Sequence, residues 1–175
     1  SVVRGTRASV SDLVDGLAGN DTITGAGGED FLDGGEGDDT FIISATSHLS
    51  SGDTYLGGAG DDQMRLTVGG TYNFNGVVIY DVERLVLGAN LVANFFQDEP
   101  NISPETITVD GQGRTATFNF TSLNSWGVRL EGWTFTNGNF NINLIGNAES
   151  ETFVGTNLAD TINAGNGSDQ LHGGA

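Results

Sequence analysis

The feature that most constrains this chain is a nine-residue rhythm at both of its ends. Gly34-Gly35-Glu36-Gly37-Asp38-Asp39-Thr40-Phe41-Ile42 and Gly57-Gly58-Ala59-Gly60-Asp61-Asp62-Gln63-Met64-Arg65 both read Gly-Gly-x-Gly-x-Asp-x-(apolar)-x. With the acid as position six, the apolar residue is position eight. Asp12, Asp21, Asp30 and Asp39 follow at nine-residue steps, paired with Val14, Ile23, Leu32 and Phe41. After a five-residue slip over 43–47 the phase resumes at Asp53 with Tyr55 and Asp62 with Met64. It returns at Glu151 with Phe153, Asp160 with Ile162, and Asp169 with Leu171. Glycine lacks a Cβ and enters positive φ freely, so the glycines permit a turn that other residues resist. The acid is a hard oxygen ligand, and the apolar residue faces a core. A flexible Gly/Asp-rich linker would leave the apolar phase unexplained. A fixed short period of this kind predicts a solenoid.

These residues resemble the RTX repeats of bacterial secreted proteins. The resemblance implies an all-β fold, a right-handed parallel β-roll with two nonapeptides per turn. Each repeat would give a six-residue loop and a three-residue strand. The resemblance also implies Ca2+ between stacked loops, held by position-six carboxylates and loop carbonyls. The metal-site residues carried over are Asp21, Asp30, Asp39, Asp53, Asp62 and Asp169, with the loop glycines Gly19, Gly28, Gly35, Gly37, Gly58 and Gly60. Asp21 is expected to stack over Asp39, Asp39 over Asp62, and Asp30 over Asp53. Position four departs from glycine at Val10, Ser51, Glu149 and Leu158. Those loops are expected to keep the coil and hold calcium weakly, because positive φ is costly with a Cβ. The array beginning at Glu151 and Asp160 is therefore expected to be the weaker one.

Charge points the same way. The chain of 175 residues carries 23 acids against 6 bases, a formal net charge of −17. All the bases are Arg, none lies between Ala8 and Met64, and twelve acids fall in 12–62. Such a surface repels nucleic acid and anionic lipid. Packed carboxylates with no basic partner need a counter-cation, and a divalent metal is the economical one. There is no Cys, which excludes a disulfide framework and a thiolate zinc site. No apolar run approaches the roughly 18 residues of a membrane span. Ser1-Val2-Val3-Arg4-Gly5 lacks a signal core, and Gly173-Gly174-Ala175 reads as the start of another repeat. The expectation is a piece of a longer protein. By the resemblance it is secreted or displayed at the cell surface, through the one-step (type I) secretion route that family members commonly use.

Three segments follow: an RTX β-roll over 7–65, a β-rich middle over 66–145, and a degenerate, truncated array over 146–175. In the middle, Arg84–Leu87, 106–109, 117–120, 128–130 and 140–144 alternate apolar and polar residues, which predicts strands. Gly and Asn separate them as turns. The pattern leaves open a wider β-solenoid or a sandwich-like insert. Helix evidence is thin, with Leu91 or Ser122 as the points where a short helix could begin. Trp126, Trp133, Phe135 and Tyr72 read as core, with a sugar-stacking platform as the alternative. Asn137, Asn139, Asn141, Asn143 and Asn147 read as turn and outward-face residues, with glycan contacts as the alternative. Asp98, Glu99 and Glu105, beside Pro100 and Pro104, read as a solvated loop, with an ion site as the alternative.

Catalytic signatures are missing. His48 and His172 are the only histidines, and there is no His-Glu-x-x-His and no Gly-x-Ser-x-Gly. Gly25-Ala26-Gly27-Gly28 lies inside the repeat register and does not read as a phosphate loop. His48 reads as a surface loop residue. The expectation is a non-catalytic calcium module. Two alternatives are a polysaccharide-binding accessory module, as in alginate epimerases, and a surface-layer or adhesin segment whose calcium joins neighbouring subunits.

Overall fold

The computed structural model describes residues 1–4, 10–97 and 106–174. The acidic loop around Pro100 and Pro104 lies outside them. Nineteen strands, all paired in parallel among the described residues, wind into a β-solenoid of about six turns. The one helical piece described is a 3-10 turn at Thr46–His48. It sits in the slip between repeats and takes up the extra residues, so Leu32 still pairs with Tyr55.

Four sheets form the walls. A long sheet of seven strands runs in the order Val2–Arg4, Thr22–Thr24, Thr40–Ile43, Gln63–Leu66, Arg84–Leu87, Ile107–Asp110, Trp133–Thr136. An N-terminal sheet faces its first part: Leu13–Asp15, Phe31–Glu36, Thr54–Ala59, Val78–Tyr80. A central sheet stacks Gly70–Asn73, Leu91–Gln97, Thr115–Ser122, Asn139–Ile145 and Asp160–Asn163. A C-terminal sheet holds Gly127–Arg129, Thr152–Val154 and Gln170–His172.

The coil changes width along the axis. Residues stacked on one another are 18 apart in the first turns, then 23, and 21 to 27 in the middle. They return to 18 at the end. Narrow coils have two strands per turn, which is the two-walled β-roll. The wide coils add a strand in the central sheet and become three-sided. The middle is thus a wider solenoid continuous with the roll, and the sandwich-like alternative does not form. Nor does a helix: Leu91 opens a strand and Ser122 closes one. Their neighbours alternate buried and half-buried, a period of two that suits a pleated wall.

Side-chain size follows coil width. The two-walled part is filled by Ile23, Leu32, Phe41, Tyr55 and Met64, all essentially buried. A three-sided interior is roomier and takes an aromatic stack. Phe74 lies on Phe95 at 4.3 Å, Phe95 on Phe120 at 5.0 Å, and Trp133 meets Phe120 edge-on at 5.1 Å. Tyr72, Trp133 and Phe135 are core residues, whereas Trp126 is 73% exposed. Of the position-eight residues, Leu171 on the last strand is exposed.

Candidate metal centre

The loops joining the long and N-terminal sheets carry the position-six acids. Parallel stacking sets each acid above its counterpart one turn away, and one carboxylate oxygen accepts the neighbour's backbone amide. Asp21 N donates to Asp39 Oδ1 at 2.7 Å, and Asp39 N to Asp62 Oδ1 at 2.7 Å. On the opposite edge, Asp12 N donates to Asp30 Oδ1 and Asp30 N to Asp53 Oδ1, both at 2.9 Å. The spacing thus brings Asp21, Asp39 and Asp62 into one column and Asp30 and Asp53 into another. In the last turns, Glu151 N donates to Asp169 Oδ1 at 3.0 Å.

The second carboxylate oxygen separates these residues. Asp30, Asp39, Asp62 and Glu151 are buried, and one oxygen of each has no hydrogen-bond donor. Leaving a buried charged acceptor unpaired costs upward of about 1–3 kcal/mol. Burial accordingly pushes the Asp30, Asp39 and Asp62 carboxyls up, Asp62 to about 6. Asp53 differs: its Oδ2 accepts from Ser50 N at 2.7 Å and from the Tyr55 hydroxyl at 3.2 Å. Asp21 contacts the hydroxyl and ammonium of Ser1. Asp160 is satisfied within its own loop by Thr156 N and Thr156 Oγ1, both at 2.8 Å.

Main-chain oxygens crowd the same points. A Cβ on Gly34 would stand 2.3 Å from Asp39 Oδ2 and 2.6 Å from the Gly57 carbonyl oxygen. The carboxylate oxygen of one coil, which has no donor, and a carbonyl of the next therefore converge on Gly34. The turn needs its glycines: Gly37 and Gly60 hold φ of +124° and +155°, and a Cβ there would meet the neighbouring loop's backbone at 2.7 and 2.2 Å. Gly19, Gly28, Gly35 and Gly58 share positive φ.

The loops without glycine at position four close differently. Glu149 and Leu158 do not take positive φ. Asn147 Oδ1 accepts Glu149 N at 2.7 Å, and Thr156 Oγ1 accepts Leu158 N at 3.1 Å. A polar side chain at position two thus holds the turn. The expected φ penalty at those residues is absent, and the Glu151 loop keeps a buried, unpartnered oxygen like its N-terminal counterparts.

One member of the column escapes the motif. Asp62 N donates to Glu83 Oε2 at 2.7 Å, so Glu83 is the fourth rung. Its only signal in the sequence is the acid-then-apolar phase, Glu83 with Leu85 two residues on.

The donor set fits a hard divalent cation: anionic and carbonyl oxygens, buried, short of donors. Among the described residues no three Asp, Glu, His or Cys side chains converge on one point. A cation here would be held by one or two carboxylates plus main-chain carbonyls, an all-oxygen set suited to calcium. Of the two histidines, His48 engages Ser44 Oγ at 3.3 Å.

No curated protein and no solved structure matches the chain. The family model described as the RTX calcium-binding nonapeptide repeat matches in four copies, over residues 9–41, 50–65 and 145–175. The glycine–acid loops that flank the wide middle of this solenoid are RTX calcium-binding nonapeptide repeats.

Proposed function

We propose that this chain is a non-catalytic calcium-binding module of a secreted or cell-surface protein, and that it closes its end coils on calcium outside the cell. In this reading 7–65 and 146–175 are the calcium-bearing ends, and 66–145 is a middle that keeps its own core. The observation that carries it is the column of buried carboxylates whose second oxygens face a neighbour's carbonyl with no donor between them. At low calcium these oxygens repel and the column opens. At high calcium the ion bridges successive loops, and binding free energy becomes folding free energy. Asp21, Asp30, Asp39, Asp53, Asp62 and Asp169 supply carboxylates, and the loop glycines let carbonyls turn inward. The metal supplies charge neutralisation and cross-linking of coils. Calorimetric titration of calcium into stripped protein, read with circular dichroism, tests this. Saturable binding with a gain of β signal is expected. Absence of binding, or an unchanged fully β spectrum, overturns it.

A second reading, binding of a neutral polysaccharide, is favoured by the outer face of the central sheet. Its first four strands contain no Asp, Glu, Lys or Arg in a chain of net charge −17. Asn73, Asn94, Asn119 and Asn143 form an amide ladder across it, with side-chain bonds of 2.7–2.8 Å. Retention on a neutral insoluble glycan, lost in Asn119→Asp, would support this reading, and no retention would remove it.

A further inference from the structure

The second repeat match stops at residue 65, but the carboxylate column continues beyond it. We propose that Asp62, the main-chain carbonyl of Asp81 and the carboxylate of Glu83 form a further calcium slot, on a coil that lacks the glycine motif. This rests on the calcium reading above and extends it to residues outside the repeats.

The first observation is register. Asp33, Leu56 and Tyr80 stack on one another, so Gly34, Gly57 and Asp81 occupy equivalent places at the start of successive loops. Gln63 pairs with Arg84, which sets Asp62 beside Glu83. The contact between rungs is the same at each step: the amides of Asp21, Asp39 and Asp62 each donate to the next carboxylate at 2.7 Å.

The second observation is a pair of oxygens left facing each other. Asp62 is fully buried, and its Oδ2 has no hydrogen-bond donor. A Cβ on Gly57 would stand 1.6 Å from the Asp81 carbonyl oxygen and 2.6 Å from Asp62 Oδ2. In the slot before it, the Gly57 carbonyl and Asp39 Oδ2 crowd Gly34 in the same way. The Asp81 carbonyl therefore stands where a repeat presents its position-one carbonyl. Calcium accepts this mixture of carboxylate and carbonyl oxygen at about 2.3–2.6 Å.

The third observation is how a loop without the motif reaches that arrangement. Only residues 81–83 join Val78–Tyr80 to Arg84–Leu87. Asp81 takes the left-handed conformation itself, at φ +52°. Val82 is buried beneath the loop. The shorter loop carries the longer acid, whose Oε2 reaches the Asp62 amide. The Arg84 guanidinium pairs with exposed Asp61 at 3.0 Å. One coil on, Arg84 pairs with Thr108, so the place of Glu83 passes to buried Ile107 and then to Trp133. Glu83 is the last acid of its column.

The test is calcium stoichiometry of the whole chain by calorimetry, for wild type, Glu83→Gln and Asp62→Asn, with anomalous scattering from calcium-grown wild-type crystals. Glu83→Gln keeps an acceptor for the Asp62 amide and removes the charge. It is expected to lose one ion, or at least tenfold in affinity at one site, with the calcium-loaded β spectrum unchanged. Asp62→Asn is expected to lose two. An anomalous peak is expected between Asp62, the Asp81 carbonyl and Glu83. Wild-type stoichiometry and affinity in Glu83→Gln overturns the proposal. So does an empty position there in crystals whose Asp39–Asp62 slot is filled, which needs no variant to fold. A wild type that binds no calcium defeats the module reading itself, a separate outcome.

Discussion

Asp38 and Asp39 are chemically identical neighbours with opposite surroundings. Asp39 is buried, contacts the turns on both sides through Asp21 and Asp62, and keeps an oxygen without a donor. Asp38 is exposed and belongs to an outer ladder, accepting Asp61 N and donating its own amide to Asn20 Oδ1, each at 3.1 Å. Asp39→Ala is expected to remove two ions in calorimetric titration. Asp38→Ala should keep full stoichiometry and cost under about 1 kcal/mol, as exposed polar contacts do. Equal losses would contradict the register. Burial also sets a pH dependence for calcium-free protein. A carboxyl near 3.9 in the unfolded chain is pushed to about 6 at Asp62, and upward at Asp30, Asp39 and Asp53. The folded form then holds protons that the unfolded chain releases. That stabilisation is fully present below about pH 4 and is lost as pH rises through about 6. Melts of stripped protein should show the end coils more stable at pH 4 than at pH 8, with calcium reversing the order. Equal melting temperatures at the two pH values would count against it.

At the scale of the loop, two glycines of the same motif position are distinguished by what lies next to them. Gly37 combines φ +124° with a backbone neighbour 2.7 Å from any added Cβ. Gly19 has φ +110° and open space. Gly19→Ala should cost only the left-handed penalty, about 1–2 kcal/mol. Gly37→Ala adds a collision with the adjacent turn, so it should melt markedly lower in saturating calcium and bind calcium more weakly. A smaller loss for Gly37→Ala than for Gly19→Ala would show that the loops can separate. The degenerate loops escape this constraint because Asn147 and Thr156 tie the turn with side-chain oxygens. Their strength as calcium sites is therefore set by carboxylate satisfaction, not by backbone strain. On that ground Glu151 is the better candidate and Asp160, saturated by Thr156, the poorer.

Over the whole molecule, one long sheet joins regions with different sources of stability. Its early strands lead from carboxylate columns, whereas its last strand, through Trp133 and Phe135, packs on Phe95, Phe118 and Phe120. Stripping calcium at neutral pH should open the turns around Asp21, Asp39 and Asp62 and leave the aromatic middle closed. Hydrogen exchange should lose protection over 12–65 while residues such as Phe118 and Leu144 stay protected. A single cooperative loss across both would mean that the long sheet couples them fully.

The nine-residue phase in the sequence determined the coil, the inward apolar column and the place of each position-six acid. A fixed period forces equivalent residues into stacked positions whatever the rest of the chain does. Alternation marked five of the middle strands for the same reason and missed Gly70–Asn73, Val78–Tyr80, Leu91–Gln97 and Trp133–Thr136. Only the tertiary structure decided the remainder. The width of the middle coils depends on which strands pair one turn away, and no local pattern encodes a spacing that varies between 21 and 27 residues. Whether an acid is satisfied depends on neighbours a full turn along the chain, and on side chains whose identity the repeat pattern leaves free, such as the Tyr55 hydroxyl at Asp53. Trp126 and Trp133 look alike in sequence, yet one stands in solvent and the other fills the three-sided core. Glu83 joins the acid column through a short loop with none of the glycines, because stacking places it there.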